Sequence, residues 1–205
     1  MSARVLPCGP TAVMIEVDST DQAAQLAAHL RFLSVVGVVD LVPAARTVLV
    51  CCDAAARLPS VEAAVGSFVP GEEIALSGLL IEVPTVYDGE DLASVADTIG
   101  GSIDDVIALH SSAEYSAAFC GFVPGFAYLT GLAPELLLPR RRNPRGRIPA
   151  GSVAVAAGFT GVYPTTSPGG WHLLGRATVA MWDSTRARPA FIEPGDRVRF
   201  VRVEG

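Results

Sequence analysis

Between His110 and Arg176 glycine and proline interrupt the chain so often that no long helix or strand can form there. The run reads HSSAEYSAAFCGFVPGFAYLTGL, then PRRRNPRGRIPAGSV, then GVYPTTSPGGWHLLGR. Proline fixes φ and glycine permits positive φ, so such a backbone holds defined loop shapes around the aromatic and arginine side chains it displays. From Phe119 to Val203 only short β-like runs remain between turns, among them SVAVAAGFTGVYP, HLLGRATVAMWD and DRVRFVRV. Short strands at this spacing predict a β-barrel with long decorated loops.

Ahead of this region strand and helix signals alternate. AVMIEV reads as a strand, and Ser19-Thr20-Asp21-Gln22 is a capping-box pattern that opens the helix DQAAQLAAHLRFL, with Phe32 or Leu33 on its apolar side. VVGVVDLVPAARTVLVCC gives two β-branched runs broken by Pro43-Ala44-Ala45-Arg46, a hairpin signal. Leu58-Pro59-Ser60 then opens a second helix, with Ser60 as candidate N-cap. The order βαββα, with a further strand optional, predicts a ferredoxin-like α/β sandwich over residues 1–80. The boundary falls between Pro70-Gly71 and Gly78, and the barrel domain occupies residues 81–205. It begins with the strand LLIEVPTVYD and two helices, Asp91 to Ile99 and one capped by Ser102 that runs to about His110. The fold class expected is α+β.

With 205 residues, 50% of them hydrophobic and 18% charged, the chain has ample material for packed cores. No apolar run approaches the roughly 20 residues that span a bilayer, and MSARVLPCGP lacks a signal-peptide core, so a cytoplasmic protein is expected. Cys8, Cys51, Cys52 and Cys120 show no C-x-x-C spacing and read as thiols, with no metal site expected. All 15 basic residues are arginine. That excludes a Schiff-base lysine, a biotinyl-lysine and a P-loop lysine in this chain. A pI near 5.0 argues against nucleic acid as a partner.

The charge is unevenly spread. Residues 79–139 carry nine acids and no base, whereas residues 140–205 carry four acids and eleven arginines. Two readings follow: a cationic rim that meets an anionic ligand or partner, or mutual neutralisation of the two segments.

His110 and Glu114, four residues apart, would share a helix face on which the carboxylate orients the imidazole, an acid/base pair. The plainer alternative is a helix-end histidine beside a surface glutamate. His172 follows Gly169-Gly170-Trp171, either a close approach to a ligand or a tight turn beside a buried tryptophan. Phe122-Val123-Pro124-Gly125-Phe126-Ala127-Tyr128 sets three aromatics around a Pro-Gly turn, as a pocket wall, a docking surface or core. Arg140, Arg141, Arg142, Arg145 and Arg147 are interrupted by prolines and cannot lie on one helix, so they form a solvated basic loop or an anion site.

Together HSSAEY, GFVPGFAYLTGL, PRRRNPRGRIPAGSV, GVYPTTSPGGWHLLGR and EPGDRVRFV resemble the signature blocks of the family that includes the B component of 5-oxoprolinase (PxpB), the first component of allophanate hydrolase and the kinase inhibitor KipI. The resemblance implies an N-terminal α/β domain followed by a cyclophilin-like β-barrel. It also implies two companion proteins, one KipA-like (the C component) and one LamB/YcsF-like (the A component), in an ATP-dependent hydrolase that opens 5-oxo-L-proline to L-glutamate. A KipI-like inhibitor of a histidine kinase and a protein acting on urea, allophanate or another small amide are the alternatives within it. On this basis His110 and Glu114 are expected to handle protons. Tyr115, Phe126, Tyr128, Arg140, Arg141, Arg145, Arg147, Ser152, Tyr163, Trp171 and Arg176 are expected to bind substrate.

Overall fold

In the computed structural model, which describes residues 3–71 and 78–205, the chain divides into two compact units, Met1–Ser77 and Gly78–Gly205. Residues 72–77, within the boundary expected between Pro70 and Gly78, lie outside the described residues.

The first unit runs through β1 (Arg4–Pro7), β2 (Ala12–Glu16), α1 (Thr20–Leu33), β3 (Val38–Pro43), β4 (Thr47–Cys52) and α2 (Leu58–Gly66). Its sheet has the order β1-β2-β4-β3 and is antiparallel throughout. The segment β2-α1-β3-β4-α2 is the expected βαββα, and the strand beside β2 is β1, which comes from ahead of the motif instead of after it. RVLP is too short to announce itself by alternation. Ile15, Val48 and Val50 of the sheet pack with Leu26, Ala27 and Leu30 of α1, all fully or nearly fully buried. Phe32 and Leu33, expected on the apolar side of α1, stay exposed. Ser19 caps α1 by accepting from Gln22 N (3.2 Å), while the Gln22 side chain accepts from Asp18 N instead of closing the box on Ser19. Ser60 is not an N-cap, because a short 3-10 turn, Ala55–Arg57, leads straight into α2 at Leu58.

The second unit contains β5 (Leu80–Val86), α3 (Leu92–Ile99), α4 (Ile103–Ser111), β6 (Tyr115–Cys120), β7 (Ala127–Thr130), β8 (Arg145–Ile148), β9 (Ser152–Ala156), β10 (Phe159–Val162), β11 (Ser167–Gly169), β12 (His172–Ala177) and β13 (Arg197–Arg202). Seven strands close a barrel in the order β10-β7-β6-β13-β5-β12-β9, and β8 and β11 form a separate two-stranded ribbon. β13 lies parallel to β5, while the other barrel pairs are antiparallel. β9 and β10 turn on two residues of positive φ, Ala157 and Gly158. Tyr115, Leu129, Val153, Val198 and Phe200 form the centre of one barrel core, and α3 and α4 bury Val95, Val106 and Ile107 against Leu136 and Leu174. Ser102 and Asp105 form a complete capping box at the start of α4. No described helix is long and apolar enough to cross a membrane.

Leu129 has no solvent exposure, so Leu129→Ala leaves a cavity in the barrel. Urea unfolding is expected to show a loss of about 2–5 kcal/mol for it, against little change for the exposed Leu137→Ala.

Candidate functional site

The site begins with one buried carboxylate. Asp91 immediately precedes α3 and is only 3% exposed. Arg145 grips it as a fork, with its two terminal nitrogens 2.9 Å from the two carboxylate oxygens. Arg141 donates to Oδ1, and the Leu173 amide donates to Oδ2 at 2.7 Å. Burial opposes the charge, but the Arg145 hydrogen bonds, the Leu173 amide and the charges of Arg145 and Arg141 outweigh it and hold the carboxyl below its ordinary pKa. Two further bonds tie the arginine loop to the start of β12: Arg141 N–H donates to Gly170 O (2.8 Å), and His172 Nε2 donates to Pro139 O (3.0 Å). His172 therefore serves the loop.

Beside this anchor lies a pocket of about 300 Å³. Phe122 and Phe126 come from the loop between β6 and β7, Tyr128 from β7, Tyr163 from just beyond β10, and Trp171 from just before β12. Arg140, Arg141, Pro144 and the Pro168-Gly169-Gly170 segment complete the lining. Phe126 makes edge contacts with Tyr163 and Trp171, each at a centroid distance of 5.4 Å. A Cβ on Gly169 would fall 2.4 Å from the Tyr163 hydroxyl, so that wall admits no side chain without displacing the ring.

The acidic and basic segments mostly cancel each other. Asp88 pairs with Arg176, Glu90 with Arg145, Asp91 with Arg141 and Arg145, Asp104 with Arg202, and Glu114 with Arg197 and Arg199. Arg140, Arg142 and Arg147 have no acidic partner among the described residues. Of these three, Arg140 faces the pocket. Burial raises the Tyr128 and Tyr163 phenols, and the Arg140 charge acts against that rise at both.

His110 and Glu114 are not brought together as the i, i+4 spacing implies. α4 ends at Ser111, and the chain has entered β6 by Tyr115, so Glu114 lies off the helix. The Glu114 carboxylate turns to Arg197 (3.1 Å) and Arg199 (2.7 Å). Burial works against its charge, but the two guanidiniums hold its carboxyl below the ordinary range. His110 has no solvent exposure. The Thr160 hydroxyl donates to Ala154 O (3.1 Å), so it accepts from His110 Nε2–H (2.8 Å), and Nδ1 must then accept from the Tyr87 hydroxyl (2.8 Å). Both ring nitrogens are spent, and burial pushes the imidazole down to about 3. This is a neutral, fully bonded core histidine.

Other expected positions also lie outside the pocket. Tyr115 is in the core and donates to His110 O (2.8 Å), and Ser152 is buried at the start of β9. Arg145 is committed to Asp91 and Glu90, Arg176 pairs with Asp88, and Arg147 points from the exposed part of β8. Phe126, Tyr128, Arg140, Arg141, Tyr163 and Trp171 do converge. Phe122, Pro144 and Asp91 are not among the residues that the sequence marks as substrate contacts. Asp91 leaves a trace only in the charge imbalance between the two segments.

A two-unit α+β chain with a closed barrel and an arginine-and-aromatic pocket matches the carboxyltransferase domain, subdomains C and D, over residues 3–192. The chain is 38% identical over 210 residues to the 5-oxoprolinase B subunit of Escherichia coli O157:H7, covering 97% of itself and 95% of that protein. It is 39% identical to the Bacillus subtilis (strain 168) protein of the same name over 135 residues, 64% of this chain and 56% of that one. The crystal structure of TTHA0988 superposes with a TM-score of 0.79 at 37% identity, covering 95% of this chain and 40% of that one. The Kluyveromyces lactis urea carboxylase shares the fold at 18% identity (TM-score 0.70), across 98% of this chain and 23% of its own. The chain belongs to the carboxyltransferase-domain family and, within it, to the family of 5-oxoprolinase B subunits.

His110 and Asp91 set separate pH dependences of stability. His110 is neutral when folded and protonates when unfolded, so its contribution to stability is full above pH 6.5 and is lost as pH falls toward 3. Between pH 6.5 and 5 it should remove about 1–2 kcal/mol from the urea-unfolding free energy, a loss absent in His110→Gln. Asp91 acts in another window, its contribution full above about pH 4 and lost below as the carboxylate protonates. Asp91→Asn leaves Arg141 without a counter-charge and Arg145 with Glu90 alone, and should cost about 3–5 kcal/mol by the same method.

Proposed function

We propose that this chain is the PxpB component of an ATP-dependent 5-oxoprolinase, and that its aromatic pocket holds 5-oxo-L-proline while a complex with the KipA-like and LamB/YcsF-like components opens the ring to L-glutamate. The observation that carries this reading is the single arginine, Arg140, that faces the pocket without an acidic partner among the described residues, while Asp91 and Glu90 together neutralise its neighbours Arg141 and Arg145. One guanidinium fork matches one carboxylate. Flat aromatic walls match a planar lactam ring. The names of the relatives support the same substrate.

The chemistry needs activation, because a lactam carbonyl is a poor electrophile. Transfer of the ATP γ-phosphoryl group to the lactam oxygen gives a phosphorylated imidate. Water then adds to the ring carbon and the C–N bond breaks, freeing the amine and leaving an acyl phosphate, which a second water hydrolyses to the γ-carboxylate and inorganic phosphate. Within the pocket this chain's residues orient the ring, exclude water from its faces and neutralise the α-carboxylate. At about 300 Å³ the pocket is at the small end of ligand sites. It suits a five-membered ring, and the nucleotide would reach the lactam oxygen from outside it. Urea would fit the same space but has no carboxylate for Arg140 to hold.

The test is reconstitution with the KipA-like and LamB/YcsF-like components, measuring glutamate formed and ATP consumed. Arg140→Ala is expected to raise the KM for 5-oxo-L-proline at least about tenfold, the worth of a charge-assisted hydrogen-bond pair. Binding of 2-pyrrolidinone, the same ring without the carboxylate, should be unaffected. No glutamate from the complete mixture would sink the function, and an unchanged KM would sink the role of Arg140.

A further inference from the structure

Among the described residues three non-glycine residues have positive φ: Ser34, Phe122 and Ala157. Ser34 is the C-cap of α1 and Ala157 sits in a two-residue hairpin turn, both common places for a left-handed residue. Phe122 has no such ordinary reason. Val123 N–H donates to Gly121 O (2.9 Å) across it, and its φ is +72°, so it is the centre of a γ-turn of the rare, strained hand. A bulky side chain there works against its own backbone.

The surrounding loop enforces this conformation. Pro124 and Gly125 (φ +83°) form a second turn closed by Phe126 N–H to Val123 O (3.1 Å), and Gly121 N–H bonds to Phe126 O (3.2 Å). A Cβ on Gly125 would lie 2.8 Å from Trp182 Cβ and 3.0 Å from Met181 O, so the loop is packed down on that side. Core burial does not explain the strain, because Phe122 is 57% exposed. Its ring lines the pocket, edge-on to Phe126 (80°) and Tyr163 (87°), with no parallel ring partner among the described residues.

We propose that Phe122 is a ligand-contact residue: the strained turn holds its ring as the outer wall of the pocket, where it stacks on a planar cyclic amide and selects for flatness. The nature of that ligand rests on the 5-oxoprolinase reading. Strain of this kind persists where a fixed geometry is useful to binding. Holding the ring in place beforehand spares the ligand the ordering of a mobile loop.

Two substitutions separate ring from strain. Phe122→Ala removes the ring and keeps a Cβ at positive φ, while Phe122→Gly removes the ring and relaxes the turn. In titrations of the full chain with 5-oxo-L-proline, followed by tryptophan fluorescence, both variants should bind at least about tenfold more weakly. Phe122→Gly should nevertheless melt above Phe122→Ala. Binding equal to the unaltered protein would overturn the contact, and a Phe122→Gly that melts no higher than Phe122→Ala would overturn the strain. If the unaltered chain ignores 5-oxo-L-proline, the substrate reading fails and the same titration with the cyclic amides 2-pyrrolidinone and hydantoin decides Phe122. The assignment stands if one of these binds and Phe122→Ala weakens it, and falls if none binds or the variants bind alike.

Discussion

The pocket depends on a single buried anion. A carboxylate 3% exposed would be costly if left alone, and Asp91 is made tolerable by three nitrogens from two guanidiniums and one backbone amide. Those donors come from segments far apart in the chain: the arginine loop near 140–145 and the start of β12 at Leu173. The arginine loop has no helix or strand of its own until β8. Its place is set by this ion cluster and by its bonds to Gly170 and Pro139. Trp171 stands between Gly170 and His172, so the contacts that fix the guanidiniums also fix one aromatic wall.

The same cluster decides the sign and number of charges the pocket presents. Eleven arginines against four acids over residues 140–205 would suggest a strongly cationic surface. Pairing with the acids of residues 79–139 removes most of that field and leaves Arg140 as the pocket's uncompensated cation among the described residues. Around it the lining is largely aromatic, and Arg140 itself is exposed. A ligand with one carboxylate and a flat ring satisfies both features.

Much of this was legible in the sequence. Dense glycine and proline punctuation marked the barrel loops, the Ser102 to Asp105 pattern marked the start of α4, and the Pro43 to Arg46 break marked the β3–β4 hairpin. The convergence of Phe126, Tyr128, Tyr163 and Trp171 with Arg140 and Arg141 followed from the same loops. Other features needed coordinates. Glu114 fell off the helix because burial of Tyr115 draws the chain into β6, which i, i+4 spacing cannot foresee. The complete bonding of His110 depends on Tyr87 and Thr160, 23 and 50 residues away. Positive φ is signalled in sequence by glycine, so a phenylalanine that adopts it carries no mark at all.

The most direct measurement is a crystal structure of the chain bound to 5-oxo-L-proline. The lactam ring is expected between Phe122, Phe126, Tyr163 and Trp171, with its carboxylate on the Arg140 guanidinium and Arg141 and Arg145 still on Asp91. A ring bound elsewhere, or one bound here with its carboxylate turned away from Arg140, would contradict the assignment.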